Sequence, residues 1–373
     1  QELTSAILRA THKEQTAVIF VRYGGMPLLS SPMPDRMAAP YAATKEHLEE
    51  TNFVVEEWDL KESDTPPEID PTPTRTIFIV LKPTPPQQGQ MGQPSNDPPF
   101  TDHHRQLLVD AMGDNPRALF IGGWWPGPFG VMPGSYEYNE YLKDTWGVSL
   151  DTSALLLQAT SFEPGKYNVM RRDWFNMNEP EVTEHDIVKG LGKIPVGLPW
   201  CAPLELSDSP PEGVALAMLI TQPFRDGLWG IKNISKYEEQ MRLRQYLTKE
   251  EDDVEGPFDL AVAAAKDDGE RGKIVVISGR DFATDSVAFG QQMAVSPQGI
   301  TLRLQNPGNV TLLVNSLHWL NDNTDFMNIG KPIDAGVLAV DRRTVGIVQV
   351  LTIFVWPVLA LGCGGVAWWM RRR

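Results

Sequence analysis

Five short, almost continuously apolar runs constrain this chain more than any other feature: residues 17–21, 76–81, 118–121, 214–220 and 273–277. They are rich in Val and Ile and show no inside/outside alternation, so they read as strands buried on both faces, the habit of a parallel sheet. Helical patterns lie between them. Residues 41–52 put Ala42 and Leu48 on one side and end before a further strand at 53–57. Residues 102–113 open on a Thr101/Asp102 cap and close on Gly113. Val310, Leu313, Val314, Leu317 and Leu320 recur at a 3–4 spacing, which predicts an amphipathic helix over 309–321. Strand–helix–strand repetition predicts an α/β body wound around a mainly parallel sheet with helices on both faces.

Several stretches interrupt the pattern. Residues 62–75 and 82–100 are dense in Pro, Gln and Gly and read as extended surface loops, the second hanging over the carboxyl end of the sheet. Residues 234–256 are strongly charged and read as a solvated helix and loop. Residues 158–212 show no clean period, so the span 158–256 is expected to hold irregular insertions within a body covering 1–341.

The last thirty residues have a different character. Residues 344–370 contain no charge over 27 positions, long enough at about 1.5 Å per residue to cross a hydrocarbon core of about 30 Å. Trp368 and Trp369 stand where an interfacial aromatic belt would, and Arg371, Arg372 and Arg373 follow. A transmembrane helix through the lipid bilayer is expected there, with the arginine tail at 371–373 cytoplasmic and the body extracytoplasmic. The chain opens on Gln1 and runs directly into LTSAILRA, so further sequence upstream is expected.

Charge follows the same division. The 373 residues hold 33 Lys and Arg against 48 Asp and Glu, and five of the arginines lie beyond residue 341. Residues 1–341 therefore carry a net charge of −20. A body this acidic lacks the basic footprint that neutralises phosphates, which excludes nucleic acid as the expected partner. Two cysteines, Cys201 and Cys363, build neither a disulfide framework nor a thiolate metal site.

Ligands of an α/β sheet bind beyond the carboxyl ends of its strands, and three segments fall there. After the first run come Gly24 and Gly25, which would let backbone approach a ligand, although a tight turn is the commoner use of paired glycines. After the run at 118–121 come Gly122, Gly123, Trp124 and Trp125. Hydrolases and amidotransferases of related architecture place a Ser or Cys on such an elbow. Two tryptophans there point instead to stacking on a planar group, or to a cover over the sheet. After the run at 273–277 come Ser278, Gly279, Arg280 and Asp281, with Asp281 poised to cap a helix or hold a polar ligand. Ser278 has no base nominated by spacing. Trp124, Trp125, Arg280, Asp281, Gly24 and Gly25 are thus the candidate ligand-binding residues, and no catalytic residue is nominated.

The histidines offer no metal motif. His103 and His104 are neighbours that diverge by about 100° on a helix, and Glu184-His185-Asp186 is a polar triplet in a loop. No HExxH, CxxC or GxxxxGK[ST] pattern occurs, so neither a metal, nor a cofactor, nor ATP binding by this chain is called for.

Three segments together resemble one family. Leu3-Thr4-Ser5-Ala6-Ile7-Leu8 with the strand at 17–21, the segment 272–282 with its Asp281-Phe282 turn, and Asn315-Ser316-Leu317-His318-Trp319-Leu320 resemble the extracytoplasmic domain of the GldG-like family. These are auxiliary, gliding-motility-associated components of ABC transport systems. The tail helix and arginine cluster add to the likeness. The family's Gly-His-Gly-Glu turn is replaced by Tyr23-Gly24-Gly25-Met26, without the His and Glu. The resemblance implies a flavodoxin-like or class I glutamine amidotransferase-like fold without a catalytic triad. It also implies a non-enzymatic accessory subunit in a bacterial cytoplasmic membrane, working beside an ABC permease and its ATPase. A membrane-tethered hydrolase or amidotransferase-like enzyme, with Cys201 as nucleophile, and an envelope scaffold protein are the alternatives.

Overall fold

All five apolar runs become strands of one eight-stranded sheet. The computed structural model describes residues 16–341 except 32–37, 71–72, 85–97, 128–129, 133–135, 159, 164–165, 169–173, 178–180, 193, 297–298 and 328–339. Beyond 341 it describes only Ile353, Pro357, Trp368, Arg371 and Arg372. The strands are β1 (Thr16–Arg22), β2 (Phe53–Asp59), β3 (Arg75–Leu81), β4 (Arg117–Gly122), β5 (Glu181–Val182), β6 (Val214–Gln222), β7 (Phe258–Lys266) and β8 (Lys273–Ser278). Their order is β5-β6-β7-β8-β4-β3-β1-β2.

From β2 to β8 every neighbouring pair is parallel. β8–β7, β7–β6 and β6–β5 are antiparallel. The run at 214–220 is therefore a strand but belongs to an antiparallel extension. In its partner β7 (FDLAVAAAK) three of the six buried residues are alanines, which carry little β signal.

Side-chain alternation divides the core into two layers. Val18 and Phe20 of β1 pack with Leu48 of α1 (Ala42–Glu50), Ile187 of α4 (Asp186–Lys189) and Leu312, Leu313 and Leu317 of α7 (Pro307–Leu320), against which the short α6 (Asp285–Ala288) also lies. Ile19 and Val21 pack on the other face with Leu108 and Met112 of α2 (Asp102–Met112) and Leu142 and Trp146 of α3 (Asn139–Trp146). Helices thus cover both faces, and the period-two split explains why the strands read as unbroken apolar runs.

The insertion region builds short ladders. Leu155–Gln158, Leu228–Ile231 and Val254–Glu255 form a three-stranded antiparallel sheet. A third apolar cluster, with Trp124, Leu157, Trp229, Tyr237 and Leu247, belongs to this region. Tyr237 lies on α5 (Ile234–Arg242), so the charged stretch keeps one buried aromatic anchor. Residues 290–305 and 333–373 group as a second unit, in which Gln291–Ser296, Gly299–Leu304 and Val340–Asp341 form an antiparallel sheet. The apolar segment 344–370 lies outside the described residues apart from Ile353, Pro357 and Trp368. Among the described residues no helix is long and apolar enough to cross a membrane.

At the amino end of the parallel strands, three cations converge on the end of α7. Arg75, Arg117 and Lys273 are the first residues of β3, β4 and β8. They reach the Asp322 carboxylate at 2.7, 3.1 and 2.5 Å. Arg75 also donates to Asn321 O at 2.6 Å, Arg117 to Leu320 O at 3.2 Å, and Lys273 to Trp319 O at 3.4 Å. Burial opposes the Asp322 charge, but the hydrogen bonds and charges of Lys273 and Arg117 outweigh it and hold the carboxyl below its usual range. Asp322 has φ 60°, which Asn also tolerates, so Asp322→Asn removes the charge alone. We expect it to cost about 1–2 kcal/mol in urea unfolding, the carboxylate being partly exposed. Breaking the exposed Lys45–Glu49 pair by Lys45→Ala is expected to cost no more than about 0.5 kcal/mol.

His318, one turn earlier on α7, is 9% exposed, lies between the Phe53 and Phe326 rings, and has no partner for Nδ1 among the described residues. Burial pushes its pKa down to about 4. The folded chain keeps this imidazole neutral while the unfolded chain protonates near pH 6.5. Its contribution is therefore complete above pH 6.5 and lost as pH falls toward 4, by up to about 3 kcal/mol. Urea midpoints at pH 7 and pH 4.5 are expected to differ less in His318→Leu than in the wild type.

Candidate functional site

The carboxyl ends of β1, β3, β4 and β8 open on one side of the sheet, with β2 and β3 flanking β1 where the winding direction reverses. At the end of β1, Arg22 is buried between two carboxylates of β2. It pairs with Glu57 through Nε and with Asp59 through Nη1 at 2.5 Å. Nη1 also donates to Gly24 O at 2.9 Å, and Asp59 accepts the Gly24 N–H at 3.0 Å. Glu57 accepts the N–H groups of Leu28 and Leu29 at 2.9 and 3.0 Å. Gly24 and Gly25 have φ of 63° and 81°, and a Cβ on Gly25 would stand 2.7 Å from Thr84 Oγ1. These glycines make a tight turn held by the charges of Arg22, Glu57 and Asp59.

A second element closes over β4 and β8. The segment 200–203 runs across their carboxyl ends. Trp124 N–H donates to Trp200 O at 2.7 Å, and a Cβ on Gly123 would fall 2.4 Å from that same oxygen. The Ser278 hydroxyl donates to Ala202 O at 2.5 Å and accepts from Ala202 N–H at 2.8 Å. Cys201 is buried, and burial pushes its thiol well above the ordinary range. Both side chains that sequence reasoning weighed as nucleophiles are thus committed to packing.

Beyond this cover, charged and aromatic side chains gather from three loops. Lys82 immediately follows β3; its side chain is 7% exposed and its Nζ is 3.5 Å from Glu137 Oε2 and 5.7 Å from the Tyr136 ring centre. Burial pushes the Lys82 ammonium down, with the Arg280 charge adding to it and Glu137 opposing it. Burial likewise pushes the Glu137 carboxyl up, against the pull of Lys82. Arg280 stacks 3.7 Å from the Trp125 ring centre and pairs with Asp281 at 2.9 Å. Asp281 in turn acts on the buried Tyr41, whose phenol is raised first by burial and then by that carboxylate. Tyr136, packed against Gly122, and Tyr138 have buried hydroxyls without a partner among the described residues.

The six sequence candidates therefore divide. Trp125, Arg280 and Asp281 come together. Trp124, 3% exposed, turns into the third apolar cluster and donates its indole N–H to Ala154 O at 2.9 Å, so it covers the sheet and does not face the crevice. Gly24 and Gly25 serve the turn. Lys82, Tyr136 and Glu137 were missed; the available signal was that Lys82 is the first residue past a strand's carboxyl end.

Two of the histidines cap helices. His104 accepts the Thr101 N–H at 3.0 Å in a capping box. His185 caps α4, accepting from Ile187 N–H at 3.3 Å. Among the described residues no group of three or more His, Cys, Asp or Glu is arranged to hold a metal ion.

No protein-family model and no curated protein sequence matches the chain. Solved structures with a similar trace include the mmIFT52 N-terminal domain, at 10% identity and TM-score 0.43, covering 82% of this chain and 97% of that one. A putative ThuA-like protein from Bacteroides uniformis aligns at 12% identity and TM-score 0.35, covering 83% and 93%. A cytoplasmic protein from Salmonella typhimurium aligns at 10% identity and TM-score 0.39, covering 81% and 98%. Likenesses this loose say nothing of what this chain does.

The committed state of Cys201 is directly measurable. In a Cys363→Ser background, a maleimide at pH 7.5 is expected to leave the folded chain unlabelled over the time that labels it fully in urea.

Proposed function

We propose that this chain is a membrane-anchored, non-enzymatic accessory subunit of an ABC-type transport system, of the GldG-like kind, whose α/β body binds a substrate or envelope partner. The observation that carries this reading is the use of the carboxyl ends of β4 and β8. In a hydrolase or amidotransferase of this architecture a nucleophile would stand there. Here the 200–203 segment ties down Ser278 and buries Cys201, while the Arg280–Trp125 stack beside it offers a recognition surface. The order β2-β1-β3-β4-β8 supports a flavodoxin-like body, which places ligand groups at this end. The uncharged segment 344–370 supports an anchor in a bacterial cytoplasmic membrane, with the acidic body outside and the arginine tail inside.

The test is gentle detergent extraction of the full chain from its native membrane, affinity capture and identification of what comes with it. Recovery of a polytopic permease together with its ATPase is the expected result. Recovery of the chain alone, or of envelope structural proteins only, would overturn the transport assignment. Ester or amide hydrolysis by the purified chain, abolished by Cys201→Ala, would overturn the non-enzymatic one.

A further inference from the structure

Resting on the reading of 344–370 as an anchor, we propose that the hairpin of Gln291–Ser296 and Gly299–Leu304 is an interfacial element. Its Met293–Leu302 face lies on the outer headgroup layer of the lipid bilayer. The strand register makes this hairpin amphipathic, because opposed residues share a face and successive residues alternate between faces. Met293 stands opposite Leu302, Val295 opposite Ile300, and Ile300 opposite Val340, so five apolar positions fall on one face. Gln292 opposite Arg303, Ala294 opposite Thr301, and Gly299 opposite Asp341 fall on the other. At the base of the apolar face Leu304, opposite Gln291, is only 9% exposed. Further out, Leu302 is half-buried and Met293 is 74% exposed, more than any other large apolar side chain among the described residues.

The path of the chain identifies what covers this face. Val340–Asp341 runs antiparallel to Gly299–Leu304 with Asp341 opposite Gly299, so the chain leaves the sheet at the end where Ser296 pairs with Gly299. Thr344, the first residue of the uncharged segment, follows three residues later, a leash of at most about 11 Å. The hairpin strands are themselves about 20 Å long, so their far end cannot stray from the surface that the segment enters. Arg342 and Arg343 occupy the leash, and guanidinium groups at that level suit lipid phosphates. Charge permits the contact as well. Residues 1–341 carry a net charge of −20, yet no acid occurs from 286 to 321, so the hairpin is spared repulsion by an anionic surface. A second copy or another protein would also cover Met293, but the bilayer is the surface that the chain itself brings within reach.

Full-length variants in the Cys363→Ser background, carrying Met293→Cys, Gln292→Cys or Ile353→Cys, are labelled with an environment-sensitive fluorophore. They are then reconstituted in vesicles of phosphatidylethanolamine and phosphatidylglycerol containing lipid spin-labelled at the headgroup or deep in the acyl chain. Residues 292 and 293 are both exposed, so neither substitution threatens folding. The label at 293 is expected to shift to the blue and to be quenched by the headgroup spin label at least about twice as strongly as the label at 292. The label at 353 is expected to be quenched by the acyl-chain spin label. Quenching at 353 with none at 293 would overturn the hairpin contact and leave the anchor standing. No quenching at 353 would overturn the anchor and the contact with it. Equal quenching at 292 and 293 would overturn the assignment of the face. A label at 293 shielded from aqueous iodide yet unquenched by either lipid would give the face to a protein partner, and would overturn the proposal too.

Discussion

The clasp at the end of α7 fixes the polarity of this molecule. Parallel strands all begin at the same end, so the first residues of adjacent β3, β4 and β8 line up, and here all three are cations. Three charges side by side need acceptors, and the last turn of a helix offers unpaired carbonyls with the negative end of its dipole. Leu320, Asn321 and Trp319 give those carbonyls and Asp322 gives the carboxylate. Once that end is fixed, the rest of α7 has one direction to run. Its fourteen residues span about 21 Å, close to the length of a six-residue strand at roughly 20 Å. Its start therefore reaches the carboxyl end, where Asn309 bonds both backbone groups of Gly197 at 2.8 Å and donates to Phe282 O at 2.6 Å.

The two ends of the sheet are then built to opposite electrostatic plans. At the amino end three cations share one acid and a set of carbonyls, an arrangement saturated by the protein itself. At the carboxyl end each cation has its own acidic partner: Arg22 with Glu57 and Asp59, Lys82 with Glu137, Arg280 with Asp281. The first of these groups is consumed in pinning the Gly24–Gly25 turn. The other two stand against aromatic rings, Lys82 near Tyr136 and Arg280 stacked on Trp125. Parallel winding explains why the asymmetry falls where it does, since the loops free to carry such groups follow the strands.

How much of this was legible depended on whether local pattern or long-range pairing decided it. The runs at 17–21, 76–81, 118–121 and 273–277 are buried strands because both of their faces are covered, and that leaves a signature in any short window. The helix ends at Thr101 and Gly113 are local too, and α2 stops at Met112 with Gly113 at φ 64°. Strand direction is not local: β6 looks as apolar as its parallel counterparts and pairs antiparallel with an alanine-rich strand that periodicity does not flag. The crevice shares this difficulty. Lys82 sits at the head of a Pro/Gln-rich loop, and nothing near it in sequence announces Glu137 or Arg280. Adjacent tryptophans illustrate the limit most sharply. Trp124 and Trp125 share one composition and one elbow, yet opposite orientations send the first into an apolar cluster and the second under Arg280.

That elbow also explains why the same backbone serves packing here and would serve catalysis elsewhere. Gly123, at φ 146°, leaves no room for a side chain, because a Cβ would lie 2.4 Å from Trp200 O and 3.0 Å from Arg280 N. The close approach lets the 200–203 segment hydrogen-bond to Trp124 and Ser278 at once, and Gly279 N–H donates to Gly122 O at 2.8 Å to lock β4 and β8 past their last paired residues. A nucleophile at this position would need space in front of it and a base within about 3 Å. The chain has filled that space with backbone. What the packing leaves accessible is the edge where Arg280 emerges, one residue beyond Gly279 and stacked on Trp125.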